Sequence, residues 1–331
     1  MGNQNKSQTS IISAPFQNLK DLPIPLSDSQ CVLHKHELLI CGGFKQKACY
    51  TYHTLKNEYK FICEYPSDVE INGHCVVKLV DNNKDTNQVT LLSFGGKKKH
   101  TLTMKYVSVW DNDNDNEMNK LKKSNNYNEW TSFTDSHNHP IIIGRSCDDY
   151  HGLRAVTGGS HNNLLFITYF YKNISVFDLN RYIFIKHDIL PTNYINYHCF
   201  VSKSENRQEI VKKNKRIYEM LLFCYNTGFS IKYDEYYNTF QFRQLYVCKD
   251  ISPFNSYAYV CINDIILFFG GAGYSTVSKS IHKYSIQENK WMAFQNTLPN
   301  PLYNCVAILS ADNTNIHIIG GQNDKNILSL T

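Results

Sequence analysis

The chain has 331 residues, 42% hydrophobic and 19% charged, with a formal net charge of +5. That composition can bury a core and excludes a wholly disordered chain, while the charge is too small to imply nucleic acid by itself. No apolar run approaches the roughly 18 residues of a membrane span, and MGNQNKSQTS lacks the apolar stretch that opens a secretory signal.

In chain order, residues 1–13 read as a flexible polar tail. Gly2 invites a test for myristoylation, but Lys6 stands where the motif wants Ser or Thr. A unit then recurs: a short apolar strand, a turn, an apolar strand ending in Gly-Gly, a polar loop, and two aromatic strands joined by an Asn turn. The first copy reads ELLICGG (37–43), ACYTYH (48–53) and NEYKFICEYP (57–66). The second reads VTLLSFGG (89–96), TMKYVSVW (103–110) and NEWTSF (128–133). The third, LLFITY (164–169), ISVFDL (174–179) and NRYIFIK (180–186), has lost its glycines. So has the fourth, MLLFCYN (220–226), FSIKYD (229–234) and NTFQF (238–242). The fifth is DIILFFGG (264–271), SIHKYSI (280–286) and NKWMAF (289–294), and the last is NIHIIGG (315–321) and NILSLT (326–331).

The glycine-equivalent positions 42, 95, 168, 225, 270 and 320 are separated by 53, 73, 57, 45 and 50 residues. A period near fifty with four strands per unit predicts propeller blades rather than a helical solenoid. Finer spacing agrees. Tyr52, Asn57 and Tyr59 stand at offsets 0, 5 and 7, and the same offsets recur at Tyr233, Asn238, Phe240 and at Tyr284, Asn289, Trp291. They predict a hairpin in which Asn takes the left-handed turn position and the aromatics pair across the strands.

These residues resemble the kelch family, whose unit carries Gly-Gly after the second strand, Tyr in the third and Trp opening the fourth. Gly270, Gly271, Tyr284 and Trp291 match, as do Gly95, Gly96 and Trp130; Gly42 and Gly43 match with Tyr59 in place of Trp, and Gly320 and Gly321 match in a truncated copy. Tyr52 and Tyr233 fit the third-strand position, while Thr168-Tyr169 and Tyr225-Asn226 depart from the diglycine. The resemblance implies an all-β fold: one six-bladed kelch-type β-propeller over 14–331, with four antiparallel strands per blade. The blades run over about 30–66, 73–133, 152–190, 197–245, 256–299 and 304–331, and the N-terminal strand at 14–22 completes the last one. Phe16 near the Trp position, and Leu22-Pro23 beside the pattern of Leu298-Pro299, suggest that closure.

Meander parity puts the inter-blade loops and the second-to-third-strand loops on one face. There the candidate partner-binding residues are Lys97, Lys98 and Lys99 with His137, His139, Arg145, Asp148 and His151, a basic set suited to an acidic or phosphorylated segment. A metal at His137 and His139 with Cys147, Asp148, Asp149 and His151 is not expected, because no supporting shell is visible. On the other face, DNDNDNEMNKLKKSNNYN (111–128) fails as a calcium loop at its sixth and twelfth positions, Asn116 and Lys122. KSENRQEIVKKNKR (203–216) reads as a solvated charge run.

Eleven cysteines without a CxxC pair read as reduced, buried thiols of a cytoplasmic protein, the nucleus remaining open. No metal, cofactor or catalytic residue is expected. The function expected is that of a non-enzymatic adaptor: a monomer that binds a protein or peptide through the inter-blade face, with neither nucleic acid nor membrane span. The alternative is an enzyme of galactose-oxidase-like or sialate-epimerase-like type acting on a carbohydrate at the central channel.

Overall fold

The computed structural model describes residues 16–80, 87–110, 126–203, 217–325 and 328. The first sheet is β1 (Gln30–His34), β2 (Glu37–Gly43), β3 (Gln46–His53) and β4 (Glu58–Glu64). The second is β5 (His74–Leu79), β6 (Gln88–Gly95), β7 (His100–Val107) and β8 (Thr131–Ser132); the third is β9 (Arg154–Gly158), β10 (Leu164–Tyr169), β11 (Asn173–Asp178) and β12 (Ile183–Ile189). The fourth comprises β13 (Cys199–Ser202), β14 (Ile217–Cys224), β15 (Thr227–Asp234) and β16 (Thr239–Gln244), the fifth β17 (Ala258–Ile262), β18 (Ile265–Phe269), β19 (Ile281–Ser285) and β20 (Lys290–Ala293). Each is an antiparallel meander in sequence order, and no helix occurs among the described residues. A sixth sheet holds β21 (Val306–Leu309) and β22 (Ile316–Ile319).

The protein is therefore an all-β propeller with five four-stranded blades, and the expectation of six complete blades is corrected to five plus this two-stranded sheet. The expected N-terminal closing strand is corrected too. Residues 16–29 form no strand, and they reach the sixth sheet through side-chain packing and isolated backbone bonds instead. Phe16 packs with Leu298, Ala307 and Ile318, while Leu22 and Leu26 pack with Ile319 and Leu38 of the first blade. The 111–125 and 204–216 portions of the two charged insertions lie outside the described residues.

Alternation along each second strand explains the architecture. In β2, Leu39 and Cys41 face the second sheet while Leu38 and Ile40 face the sixth; in β10, Leu165 and Ile167 face the second sheet while Leu164 and Phe166 face the fourth. Strands apolar on both faces must be covered on both, which stacks sheet on sheet around an axis. The first strands line that axis. β1 lies beside β5 and β21, β5 beside β9, β9 beside β13, and β17 beside β21.

One residue before each first strand holds a positive φ: Asp28 (53°), Gly73 (66°), Gly152 (71°), Tyr197 (47°), Ser256 (53°) and Asn304 (53°). Their backbones bond to one another around the channel mouth. Gly152 N–H donates to Gly73 O (2.9 Å), Tyr197 to Gly152 (3.1 Å), Ser256 to Tyr197 (3.1 Å), Asn304 to Ser256 (2.8 Å) and Asp28 to Asn304 (2.9 Å). The diglycines add a second tie further out: Gly96 N–H donates to Tyr150 O (3.1 Å), Gly271 to Leu302 O (2.8 Å) and Gly321 to Leu26 O (2.7 Å), each across to the adjoining sheet.

The Tyr–Asn–aromatic triplets form the hairpins expected of them. Tyr52, Tyr233 and Tyr284 donate to Asn57 (2.8 Å), Asn238 (2.7 Å) and Asn289 (3.1 Å), and those asparagines sit at φ 52°, 53° and 53°. The paired rings lie 4.8, 4.9 and 5.0 Å apart. The third blade repeats the device with Phe177, Tyr182 (φ 57°) and Phe184, its rings 5.1 Å apart. Asn289→Ala should cost about 2 kcal/mol, since Ala tolerates the left-handed turn poorly and leaves the buried Tyr284 hydroxyl unpaired. Asn289→Gly keeps the backbone and should lose about half of that in urea unfolding. Equal costs for the two variants would refute this division.

Candidate functional site

The expected partner-binding residues do not gather in one pocket. Lys98 pairs with Glu70 (2.8 Å) on the surface. Lys99 donates to the carbonyls of Arg145, Ser146 (3.2 Å) and Asp148 (3.1 Å), so its charge caps that loop. Arg145 closes on Asp148 through Nη2 (2.8 Å) and Nε (3.2 Å) and reaches Tyr169 Oη (3.3 Å). The guanidinium and its N–H groups hold the Asp148 carboxyl below the usual range despite its burial. His137 and His139 stand apart on an exposed hairpin.

His151 alone of the set reaches the channel mouth, where burial disfavours its protonated form against the pull of Asp149, with Lys97 adding to the burial effect. Its Nε2 lies 2.8 Å from Asn72 Oδ1 and 3.0 Å from Tyr197 Oη. Behind Tyr197 stands Arg154, the first residue of β9, with its guanidinium 5.7 Å from the Tyr197 ring centre. One N–H of Arg154 donates to Leu153 O (2.8 Å), and Asp28, Cys75 and Tyr259 surround the rest. Burial raises the Asp28 carboxyl to about 7, against the pull of Arg154 and the Tyr197 hydroxyl. A cavity of about 210 Å³ opens here, lined by Asp28, Gln30, Arg154, Tyr259 and Asn304 among others. Arg154 and Asp28 were missed by sequence reasoning. The available signal was that β9 alone among the first strands begins with a charge, where the others begin Gln, His, Cys, Ala and Val.

Away from the axis, the same face carries a run of aromatics. Phe170 and Tyr171 form the turn between β10 and β11, Tyr194 lies between β12 and β13, and Tyr225 follows β14. Ring centres are 4.5 Å apart for Phe170–Tyr171, 6.5 Å for Phe170–Tyr194 and 5.8 Å for Tyr194–Tyr225. Tyr171 is 63% exposed and Tyr194 44%. A groove of about 200 Å³, lined by Pro191, Thr192, Asn193, Asn226, Thr227 and Gln244, runs beside them. Backbone ties fix the run, since Ile195 N–H donates to Tyr171 O (2.6 Å). The exposed Tyr171 and Tyr194, backed by the half-buried Phe170 and Tyr225 on braced turns, bring large contact area at small entropic cost.

No protein-family model matches the chain, and no curated protein matches it. Among solved structures, one described as "Structure of YjhT" is similar with a TM-score of 0.62, covering 95% of this chain and 95% of its own at 13% identity. At that identity the likeness shows the propeller fold and nothing finer.

Proposed function

We propose that this chain is a kelch-type, non-enzymatic interaction module that binds a protein or peptide partner through its inter-blade face. The observation that carries the reading is the braced aromatic run Phe170–Tyr171–Tyr194–Tyr225 beside its groove. Exposed apolar clusters of this kind mark contact surfaces. The diglycines and the Tyr–Asn hairpins support the kelch assignment. Phe16 and Leu22 pack on the two-stranded sixth sheet, which supports a ring closed from the N-terminal side without a further blade strand. Eleven free cysteines, most of them buried, support a reducing, cytoplasmic setting. The chain is taken to act as a monomer.

A second reading, an enzyme or receptor for a carbohydrate at the channel, is favoured by one observation: a half-buried guanidinium and a carboxyl whose pKa is raised to about 7 face the same polar cavity. One experiment separates the two. Affinity capture with wild type should enrich a protein that Tyr171→Ala/Tyr194→Ala loses and Arg154→Met keeps, with melting temperatures unchanged by the tyrosine pair. Equal recovery by all three proteins sinks the interaction reading. A sugar that raises the melting temperature of wild type but not of Arg154→Met establishes the second.

A further inference from the structure

The hairpin after β8 brings together three ligands that no part of the proposed function uses. Thr134 and Pro140 bridge antiparallel, Asp135 N–H donates to His139 O (3.0 Å), and Asn138 N–H donates to Asp135 O (3.1 Å) with Asn138 at φ 63°. This tight turn throws the Asp135 carboxylate and the His137 and His139 imidazoles to one side. Asp135 Oδ1 accepts the backbone N–H groups of His137 (2.8 Å) and His139 (2.9 Å), while Oδ2 lies 3.1 Å from His139 Nδ1. The two imidazoles are stacked, with centres 5.9 Å apart and planes at 23°. One ligand atom from each of the three residues lies within 4.8 Å of the others.

We propose that Asp135, His137 and His139 form a surface site for a divalent transition metal of the Zn²⁺ type. Bonds of about 2.0–2.1 Å to nitrogen and oxygen place such ligand atoms somewhat over 3 Å apart, so a small rotation of exposed side chains closes the site. Two imidazoles and one carboxylate select zinc, copper or nickel over calcium and magnesium, which require more oxygen ligands. The carboxylate is already oriented by two backbone donors, and Ser136 Oγ lies 3.4 Å from His137 Nδ1; these contacts supply the outer-shell positioning such sites need. Because all three residues reach solvent, the ion would keep at least one open coordination position. This set differs from the one weighed in the sequence. Asp148 is taken by Arg145, and His151 by Tyr197 and Asn72.

Isothermal titration of the metal-free full chain with Zn²⁺ tests the site. Wild type and Cys147→Ser should each bind one equivalent that excess Mg²⁺ does not displace. His137→Ala and His139→Ala should each weaken it by at least about tenfold, without change in circular dichroism or melting temperature. His36→Ala, which alters a separate stacked histidine pair, should bind as wild type. No Zn²⁺ binding by wild type, or binding unaltered by His137→Ala and His139→Ala, overturns the proposal. Co²⁺ offers a second measurement: a visible absorption band of low-coordinate Co²⁺ should appear with wild type and be absent from the double variant.

Discussion

Gly270→Ala should destabilise the protein by about 3–4 kcal/mol, far more than any surface glycine change. Gly270 sits at φ 67°, where an L side chain pays about 1–2 kcal/mol of backbone strain. Its added Cβ would also stand 2.0 Å from the carbonyl oxygen of Leu302, far inside contact distance. That oxygen cannot swing aside cheaply, because it accepts the Gly271 N–H (2.8 Å) that ties the fifth blade to the sixth sheet. Relief therefore requires moving one sheet against the other, which loosens the cluster of Phe269, Ile281, Leu298 and Ala307. Gly95 meets a softer obstacle, the movable Leu153 Cδ2 at 2.2 Å, so Gly95→Ala should cost less. Urea unfolding checks the order. A Gly270→Ala loss below about 1 kcal/mol would show that the sheets do not depend on this contact.

The same glycines explain which parts of the fold were legible. Gly43, Gly96, Gly271 and Gly321 recur because a Cβ there would meet the carbonyls of Ser27 (2.7 Å), Asn72 (3.0 Å), Asn255 (3.0 Å) and Tyr303 (2.8 Å). Sterics favour glycine at these four positions, so the motif repeats in the blades that make this contact. The Asn57, Asn238 and Asn289 turns repeat for a similar reason, since the side chain both tolerates the backbone and accepts the tyrosine hydroxyl. Tyr182 makes the same turn without being an Asn, so the third hairpin lacks the Tyr–Asn–aromatic spacing although its two strands are legible. The ring at the channel mouth is the extreme case. Its six positions hold Asp, Gly, Gly, Tyr, Ser and Asn, because carbonyls of neighbouring blades hold the backbone and the side chain is free to vary.

The site was less legible because charge in a sequence does not reveal its partner. KKKH and GRSCDD looked like a basic recognition surface, yet Lys99 and Arg145 spend their donors bracing one loop. Arg154 is one charge at the start of β9, and only the fold makes it the guanidinium facing the channel. The aromatic run was hidden by its own composition. Most of the tyrosines and phenylalanines do follow blade spacing, and only exposure separates Tyr171 and Tyr194 from the buried Tyr169 and Tyr233.

Acid should destabilise this protein well above the range where carboxylates titrate, and its buried histidines set the effect, His74, His100 and His198 most strongly. His74 and His198 are fully buried, and His100 nearly so. His74 Nε2 lies 3.1 Å from Cys41 O, an oxygen that only accepts, so the proton is on Nε2 and Nδ1 is bare. His198 Nε2 meets Thr168 Oγ1 at 2.6 Å, and the Nδ1 atoms of His74 and His198 have no partner among the described residues. Protonation would place an unpaired N–H and a charge in the core. Burial accordingly drops His74 to about 3 and His100 to about 4, and holds His198 well below its ordinary value. The unfolded chain takes up these protons near pH 6.5 and the folded one does not. Stability is thus complete above that pH and declines as pH falls towards 4. At pH 5 His74 and His100 each account for a loss of about 2 kcal/mol, and His198 adds to it in the same direction. Asp28 works in the opposite direction. Its folded value near 7 means that protonation favours the fold, which regains about 2–3 kcal/mol between pH 7.5 and 5. With His198, His34 and His282 acting in the same direction as His74 and His100, the histidines outweigh Asp28 and the net change expected from pH 7.5 to 5 is a loss of stability. Urea unfolding at pH 7.5 and 5.0 measures it. His74→Gln, which keeps a donor towards Cys41 O, should reduce the net decline by about 2 kcal/mol, while Asp28→Asn should steepen it. A stability that does not change between those two pH values would mean that the histidines can be protonated without leaving the core.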